Sequence, residues 1–291
     1  MSDLQAHLRS GTTTVARAWA LTRADGVVMG FTDHDGDLAF EGISFRAASG
    51  LSARALAQST GLAVDNTEAT GALSDAALRE ADILAGRYDG AALRIWEVNW
   101  ADVTQRRLIF RGTLGEITRA DGAFRAELRG LAEALGQPQG RVYQGVCPAV
   151  LGDSACGVDL SQPGMASERP AEEIEAGRVF RFEDFAGFEA RWFEKGRLRV
   201  LSGAAAGLSG VIKNDRMTQG GRMIELWEPV PAGIARGDML RIEAGCDKRA
   251  DTCRLKFGNL VNFRGFPQIP GEDWLMAVPR SDAVNDGGRR L

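Results

Sequence analysis

The chain has 291 residues, of which 44% are hydrophobic and 25% are charged, as expected of a folded protein with two or three compact units. Its net charge of −4 provides no electrostatic basis for holding nucleic acid, and no stretch approaches the ~20 apolar residues of a membrane-spanning helix. Thirty-six glycines beside nine prolines indicate many tight turns, so we expect a mainly β protein with a few short helices.

Residues 1–140 are predicted to form a β-rich region. Short strands flank the turns ADG and HDG within the first 50 residues, beginning with Arg17–Leu21. A helix is predicted from Ser74, its N-cap, to Gly86. The segments AALRIWEVNW, RRLIFRGTLGEITRA and AFRAELRG then alternate apolar with polar residues, which predicts a β-meander. A short helix, LAEALGQ, follows the meander.

Residues 161–244 are predicted to begin with a linker or exposed loop and to continue as a small β domain. The linker is the polar stretch SQPGMASERPAEE, and five or six short strands after it are typical of a small barrel or sandwich. Residues 245–291 are rich in glycine, proline and aromatic residues without a helix or strand period. We expect them to form an irregular lid packed by Phe257, Phe263, Phe266 and Trp274.

Four cysteines are the most distinctive feature of the sequence. Cys147 and Cys156 lie in the segment 141–160 with eight residues between them, and Cys246 and Cys253 have six residues between them. The two pairs bracket the predicted small β domain. Because thiolates bind soft metals, four converging thiols could hold zinc or an iron–sulfur cluster. Zinc ligand pairs are usually separated by about two to four residues, so the wider gaps favour a multi-iron centre.

Two interpretations of the cysteines without a metal stay open. Two disulfides are possible, with three connectivities, although the N-terminal residues lack the apolar run of a signal peptide and we expect reduced thiols. Four unrelated buried thiols are also possible. Four cationic residues lie beside the second cysteine pair in the sequence. They form either a solvated face or a set of positive charges that compensates a thiolate-bound cluster. The four are Lys248, Arg249, Arg254 and Lys256.

Two long stretches resemble a family of phage-encoded proteins. AGCDKRADTCRLKFGNLVNFRGFPQIPGED is similar to the signature that ends the BR0599 proteins, and TRADGVVMGFTDHDGDLAFEGISFRAASGLS resembles their N-terminal domain of unknown function 2163. The likeness runs over residues 14–273. Such proteins lie in tail-gene clusters of siphophages and of gene transfer agents, and they are similar to tail hub proteins and to the tail-tip L protein of lambdoid phages.

The resemblance implies a structural, non-enzymatic protein of the tail tip of a virion or gene transfer agent, made in the bacterial cytoplasm. Residues 1–140 would be hub domains of a homotrimeric ring that joins the distal tail protein ring to a large central tip or fibre protein. A cell-wall peptidase of the tail would be a further partner, and DNA would only pass through the channel.

The resemblance also implies a cofactor. By similarity to the tail-tip L protein, Cys147, Cys156, Cys246 and Cys253 would ligate a [4Fe–4S] cluster, with zinc as the alternative metal.

Two other classes of function remain open on the sequence. A zinc-stapled protein-interaction module with no phage role would use the same four cysteines. An iron–sulfur redox enzyme would need further titratable groups beside them, and only Asp153, Asp159, Asp247 and Asp251 lie close in sequence.

Overall fold

The computed structural model describes residues 3–47, 66–69, 79–120, 123–130, 136 and 140–269. It divides the chain into two compact units, an N-terminal unit of Met1–Gln139 and a C-terminal unit of Gly140–Leu291. Strands dominate both units, and the helices within the described ranges are short, so the expectation of a mainly β protein is confirmed.

The N-terminal unit contains an eight-stranded sheet in the order β3-β4-β2-β1-β6-β7-β8-β5. Neighbouring strands are antiparallel except β2 and β4, which pair in parallel. The elements are α1 (Asp3–Leu8), β1 (Val15–Thr22), β2 (Val28–Thr32), β3 (Leu38–Phe40), β4 (Ile43–Arg46), β5 (Asn66–Ala69), α2 (Glu80–Leu84), β6 (Ala92–Asn99), β7 (Arg106–Ala120) and β8 (Ala123–Gly130).

The predicted strands of this unit are confirmed, and α2 ends as expected. Gly86 has a φ of +67°, the left-handed conformation that terminates a helix. The predicted start of this helix at Ser74 lies outside the described residues. The same holds for the helix LAEALGQ apart from Gly136.

Strand β1 is buried on both faces, which shows that the sheet curls over itself. Trp19 and Leu21 join one apolar cluster with residues of β2, β6, β7 and β8. On the opposite face, alanines at alternate positions of β1 leave room for Phe40, Phe45 and Trp96. The two phenylalanine rings stack at 4.2 Å, and Trp96 meets both edge-on. Small residues on one strand thus allow a second apolar layer to form.

The C-terminal unit contains a seven-stranded antiparallel sheet in the order β10-β11-β14-β13-β12-β15-β9. Among its described residues, fourteen buried side chains form one apolar core. The elements are β9 (Ala166–Pro170), β10 (Glu173–Glu175), β11 (Val179–Phe182), β12 (Arg197–Val200), β13 (Ser209–Thr218), β14 (Gly221–Leu226), β15 (Met239–Glu243), α3 (Ala250–Leu255) and a 3₁₀ turn (Leu260–Asn262).

The interpretation of the stretch after Ser161 as a linker or loop is wrong over Ala166–Pro170. These residues form β9, an edge strand paired with β15 from Ala166 opposite Glu243 to Pro170 opposite Met239. The sequence pattern did not reveal this strand, because an edge strand can keep polar side chains in solvent and can tolerate a proline at its end. The Arg169 guanidinium lies 3.6 Å from the centroid of the Phe185 ring and covers apolar surface.

The segment that contains the second cysteine pair is partly helical, whereas the sequence predicts an irregular structure there. Ala250–Leu255 forms α3, which carries Cys253. A helix of six residues is too short to give a clear 3.6-residue period, so the sequence pattern could not reveal it. The lid is otherwise irregular over the described residues up to Ile269, apart from the 3₁₀ turn, and Trp274 lies outside them.

An ion pair is fully buried in the C-terminal unit. The Arg222 guanidinium donates to both Asp215 carboxylate oxygens at 2.6 Å and to the carbonyl oxygens of Phe188 and Glu189 at 3.1 and 2.6 Å. Asp215 also accepts a hydrogen bond from the backbone N–H of Phe193 at 2.8 Å. Both side chains have zero exposure, so this network fixes the segment 188–193 against the core.

Candidate cysteine site

The four cysteines all lie in the C-terminal unit. Cys147 and Cys156 belong to the loop before β9, Cys246 follows β15 closely, and Cys253 lies on α3. All four are free thiols; Cys253 is buried and the other three are half-buried.

Cysteines of the two sequence pairs lie near enough to one another to interact electrostatically. Burial raises the pKa of the Cys253 thiol, and the negative charges of Cys246, Cys156 and Cys147 raise it further. Burial also raises the pKa of Cys246, to which the charge of Cys156 contributes. Because such repulsion weakens with distance, cysteines of the first pair lie in the neighbourhood of those of the second.

Lys248 connects the two cysteine segments through its backbone and its side chain. Its φ of +68° is uncommon for a residue with a side chain. In this conformation its N–H donates to Cys246 Sγ at 3.4 Å while its carbonyl oxygen accepts from the Cys147 N–H at 2.9 Å. Its ammonium donates to the Ala149 carbonyl oxygen. One residue of the second segment therefore positions both segments.

Asn259 makes the equivalent connection between the other two cysteines. Its side-chain amide donates to the Cys156 carbonyl oxygen at 2.6 Å and lies 3.9 Å from Cys156 Sγ. Its backbone N–H donates to the Cys253 carbonyl oxygen at 2.9 Å, and its own carbonyl oxygen accepts from Cys253 Sγ at 3.3 Å. N–H groups directed at sulfur are the donors that stabilise thiolates.

Asp153 shapes the turn that presents Cys156. Its carboxylate accepts hydrogen bonds from the backbone N–H groups of Cys156 at 2.7 Å and Val150 at 2.8 Å. These bonds, that to Cys156 first, hold the pKa of Asp153 below its ordinary value, and the nearby Lys248 charge acts in the same direction. The Asp153 carboxylate is therefore ionised when it holds the loop in place.

The described part of the lid packs closely on the first cysteine segment. The Phe266 N–H donates to the Gln144 carbonyl oxygen at 2.8 Å, and the Arg141 guanidinium donates to the Arg264 carbonyl oxygen at 2.6 Å. At Gly265 an added Cβ would lie 2.7 Å from the Gly145 oxygen, so only glycine fits there without a shift. This packing brings the lid next to the cysteines.

Four cysteines are the usual ligand set of an iron–sulfur cluster. Within the described ranges, however, no three His, Cys, Asp or Glu side chains are grouped so that they could hold a metal ion. A cluster held by Cys147, Cys156, Cys246 and Cys253 therefore stays a prediction.

The sequence identified the four thiols but missed part of their support. Asn259 was not singled out, because no local pattern distinguishes it from other loop asparagines. The role of Asp153 had a signal in its spacing, since an Asp side chain commonly accepts N–H bonds from residues two or three positions ahead.

A cleft of about 810 Å³ lies along the segments 189–195 and 245–256. Its walls carry cations and anions together, so it presents no field of one sign to a charged substrate. The charged residues that line it are Glu189, Arg191, Glu194, Lys195, Asp247, Arg249 and Lys256.

Among the helices that the structure describes, none has the length and apolar character needed to cross a membrane.

The chain is similar to known proteins over nearly its whole length. Residues 1–159 match the family model described as "Baseplate hub protein, N-terminal attachment domain", and residues 191–273 match that of "Phage conserved hypothetical protein BR0599". One solved chain, from the structure "Virion of native gene transfer agent (GTA) particle", is 60% identical with a TM-score of 0.89, covering 99% of both chains. No curated protein matches significantly. Since the first model covers more than half of the residues, this chain belongs to the family of phage baseplate hub proteins.

Proposed function

We propose that this protein is a structural hub of the tail tip of a gene transfer agent or a related phage-like particle. The observation that carries the proposal is the 60% identity, over 99% of both chains, with a chain of a gene transfer agent virion. At such identity, fold and assembly role are commonly retained together. The cleft near the second cysteine pair is lined by cations and anions together, so its charge does not favour one class of charged substrate.

In the proposed assembly, three copies form a ring between the distal tail protein ring and a large central tip or fibre protein. The family model assigns attachment to residues 1–159, so the N-terminal unit would contact the distal tail protein. Edge strands would then be covered by neighbouring subunits. DNA would pass through the ring without being held, in keeping with a net charge of −4, and a cell-wall peptidase of the tail would join the same tip.

Contact with the central tip protein would fall to the C-terminal unit. Large apolar side chains are exposed on both segments that build the cysteine site, and clustered exposed apolar groups are typical of protein interfaces. They are Val142, Tyr143, Val146, Val150, Leu255, Leu260, Val261 and Ile269.

The proposed cofactor is a [4Fe–4S] cluster held by Cys147, Cys156, Cys246 and Cys253. When bound, it would supply four metal–thiolate bonds, which add folding free energy as structural metal sites do. Those bonds would tie the loop before β9 to the segment after β15 and to α3. The cluster would therefore act as a staple that holds the lid onto the small β domain.

A substitution of one ligand tests the staple in the assembled particle. In a producing strain, Cys246→Ser should lower the yield of particles with complete tail tips, measured by negative-stain microscopy and by transfer or infection titre. The control is Met217→Ser, which also replaces sulfur by hydroxyl but at a half-exposed position of β13.

Normal yield from Cys246→Ser would contradict the staple. Cys156→Ser, in the other segment, should reproduce the defect, and the amount of soluble protein in each strain would show whether the loss occurs at folding or at assembly.

A further inference from the structure

Arg141 joins two aromatic rings on the surface of the C-terminal unit. The centroids of the Tyr143 and Phe266 rings lie 4.8 Å apart, and the Arg141 guanidinium lies 5.9 Å and 4.9 Å from them. The same guanidinium donates to the Arg264 carbonyl oxygen at 2.6 Å. Tyr143 precedes β9 and Phe266 belongs to the lid, so this aromatic cluster of Arg141, Tyr143 and Phe266 exists only where the two segments pack together.

Exposed apolar side chains accompany the aromatic cluster in both segments. The Tyr143 side chain is itself 68% exposed, although its ring is held by stacking. Its neighbours Val142 and Val146 are 74% and 46% exposed, and in the 3₁₀ turn of the lid Leu260 and Val261 are 45% and 90% exposed. Because single proteins rarely keep so many large apolar side chains together in water, these segments are typical of a surface that a partner covers.

The charged residues around the aromatic cluster are cations. Arg141 and Arg264 are exposed, and within the described residues both donate to backbone carbonyl oxygens and neither forms an ion pair. Residues 140–152 and 257–269 contain no Asp or Glu, although the whole chain has a net charge of −4. A guanidinium has five N–H donors in a planar fork that matches a carboxylate, so Arg141 retains donors for a carboxylate of another molecule.

We propose that Arg141, Tyr143 and Phe266 anchor the docking surface for the central tip protein, and that this partner presents a carboxylate next to an apolar side chain. The inference rests on the proposed function and adds to it the anchor residues and the chemistry of the partner. Tyr and Arg are enriched among the residues that contribute most to binding at protein interfaces. Here stacking fixes both before the partner binds, which lowers the entropy lost on docking.

The aliphatic side chains around the aromatic cluster favour a protein over a nucleic acid as the occupant. An aromatic ring beside an arginine can also stack on the bases of a single strand, but such sites follow the phosphate backbone with a groove of cations. Val142, Val146, Leu260 and Val261 offer no charge or hydrogen bond to phosphates. They instead match the apolar side chains of a protein surface.

The test measures the affinity of the full-length protein for the purified tip protein of the same particle by titration calorimetry at two salt concentrations. Tyr143→Ser removes the ring, and Arg141→Gln removes the charge but keeps a donor for the Arg264 carbonyl oxygen. The control is Trp227→Ser, since Trp227 is a 60% exposed aromatic residue of the same unit with a cation, Lys213, 5.5 Å from its ring.

A second pair of variants tests the charge of the partner without touching the aromatic cluster. Val142→Asp and Val142→Lys remove the same apolar side chain from a position that is 74% exposed, so neither should disturb folding. Against an acidic partner, Val142→Asp should bind about tenfold more weakly than Val142→Lys, and added salt should reduce this difference. Equal affinities of the two variants would contradict an acidic partner.

We expect Tyr143→Ser to bind about thirtyfold and Arg141→Gln about tenfold more weakly than the wild type, with Trp227→Ser unchanged. Wild-type affinity in both Tyr143→Ser and Arg141→Gln would overturn the inference and leave the hub role in place. A wild-type protein that does not bind the tip protein but self-associates, or binds single-stranded DNA, through Tyr143 would overturn it in favour of that occupant. Purified particles in which mass spectrometry finds no copy of this chain would instead overturn the proposed function, and the inference with it.

Discussion

At the scale of the residue, the cysteine site is built largely by groups that are not ligand candidates. Lys248, through its backbone, and Asn259, through its side chain to Cys156 and its backbone to Cys253, each contact two cysteines, one from each sequence pair. The thiols themselves stand out in the sequence because only four cysteines occur in the chain. The supporting contacts do not, since they depend on a left-handed φ at Lys248 and on a side chain of the lid reaching a loop far away in sequence.

Asp153 gives a prediction with a defined pH dependence. Its pKa is lower in the folded chain than the ordinary 3.8, so the unfolded chain takes up a proton first as the pH falls. Its stabilising contribution is therefore present above the ordinary pKa and is lost as the pH falls through the folded one. Asp153→Asn should have a lower thermal midpoint than the wild type at pH 7, and the difference should shrink in acid.

Hydrogen exchange at pH 7 locates the effect of this substitution. The amides of Val150 and Cys156 should exchange faster in Asp153→Asn. Asp159→Asn is the control, because the Asp159 carboxylate accepts its hydrogen bonds from Ser161 and not from a cysteine segment. Unchanged exchange at Cys156 would show that the carboxylate does not shape the loop.

At the scale of the element, alternating patterns predicted most strands, while several short elements were not predicted: α1, β5, β9, β10 and α3. The meander β6–β8 and the strands β11–β15 alternate apolar with polar residues and were found. The strand β9 was not predicted because it lies at the edge of the sheet and carries mostly polar side chains. The helix α3 was not predicted because it has fewer than two turns. The parallel pairing of β2 with β4 was not expected, since it depends on how the sheet curls rather than on local pattern.

The close approach of the lid at Gly265 predicts a cost for any side chain there. A Cβ would lie 2.7 Å from both the Gly145 oxygen and the Val146 carbonyl carbon. Because backbone atoms cannot move as freely as a side-chain end, Gly265→Ala should lower the free energy of unfolding of this unit by about 1–3 kcal/mol. Gly220→Ala, where a Cβ meets nothing within 4 Å, is the control for chemical denaturation. Equal stability of the two variants would contradict the described packing.

The buried ion pair predicts a larger effect. In Arg222→Met the Asp215 carboxylate would remain buried without its partner, which typically costs about 3–5 kcal/mol. Hydrogen exchange in β13 and β14 should rise accordingly. Arg216→Met, at an exposed position of β13, is the control and should change little. Arg222→Met with wild-type protection in these strands would mean that the pair contributes nothing to the core.

At the scale of the whole molecule, each unit has its own sheet and its own core, and the cysteine site belongs to the C-terminal unit alone. Composition and turn content were enough to predict a mainly β chain. They were not enough to predict the function, which came from the resemblance of two long stretches to phage tail proteins and is supported by the match of residues 1–159 to a baseplate hub model. A hub role depends on contacts with other proteins, and a fold or composition alone does not reveal such contacts.

Anaerobic purification followed by metal analysis and a visible spectrum tests whether this hub protein carries a four-thiolate cluster. We expect a brown protein with broad absorption near ~400 nm and about four iron atoms per chain, and we expect both to be lost in Cys253→Ser. A colourless protein with about one zinc per chain would contradict the cluster while keeping a metal staple. A protein with no metal would contradict both.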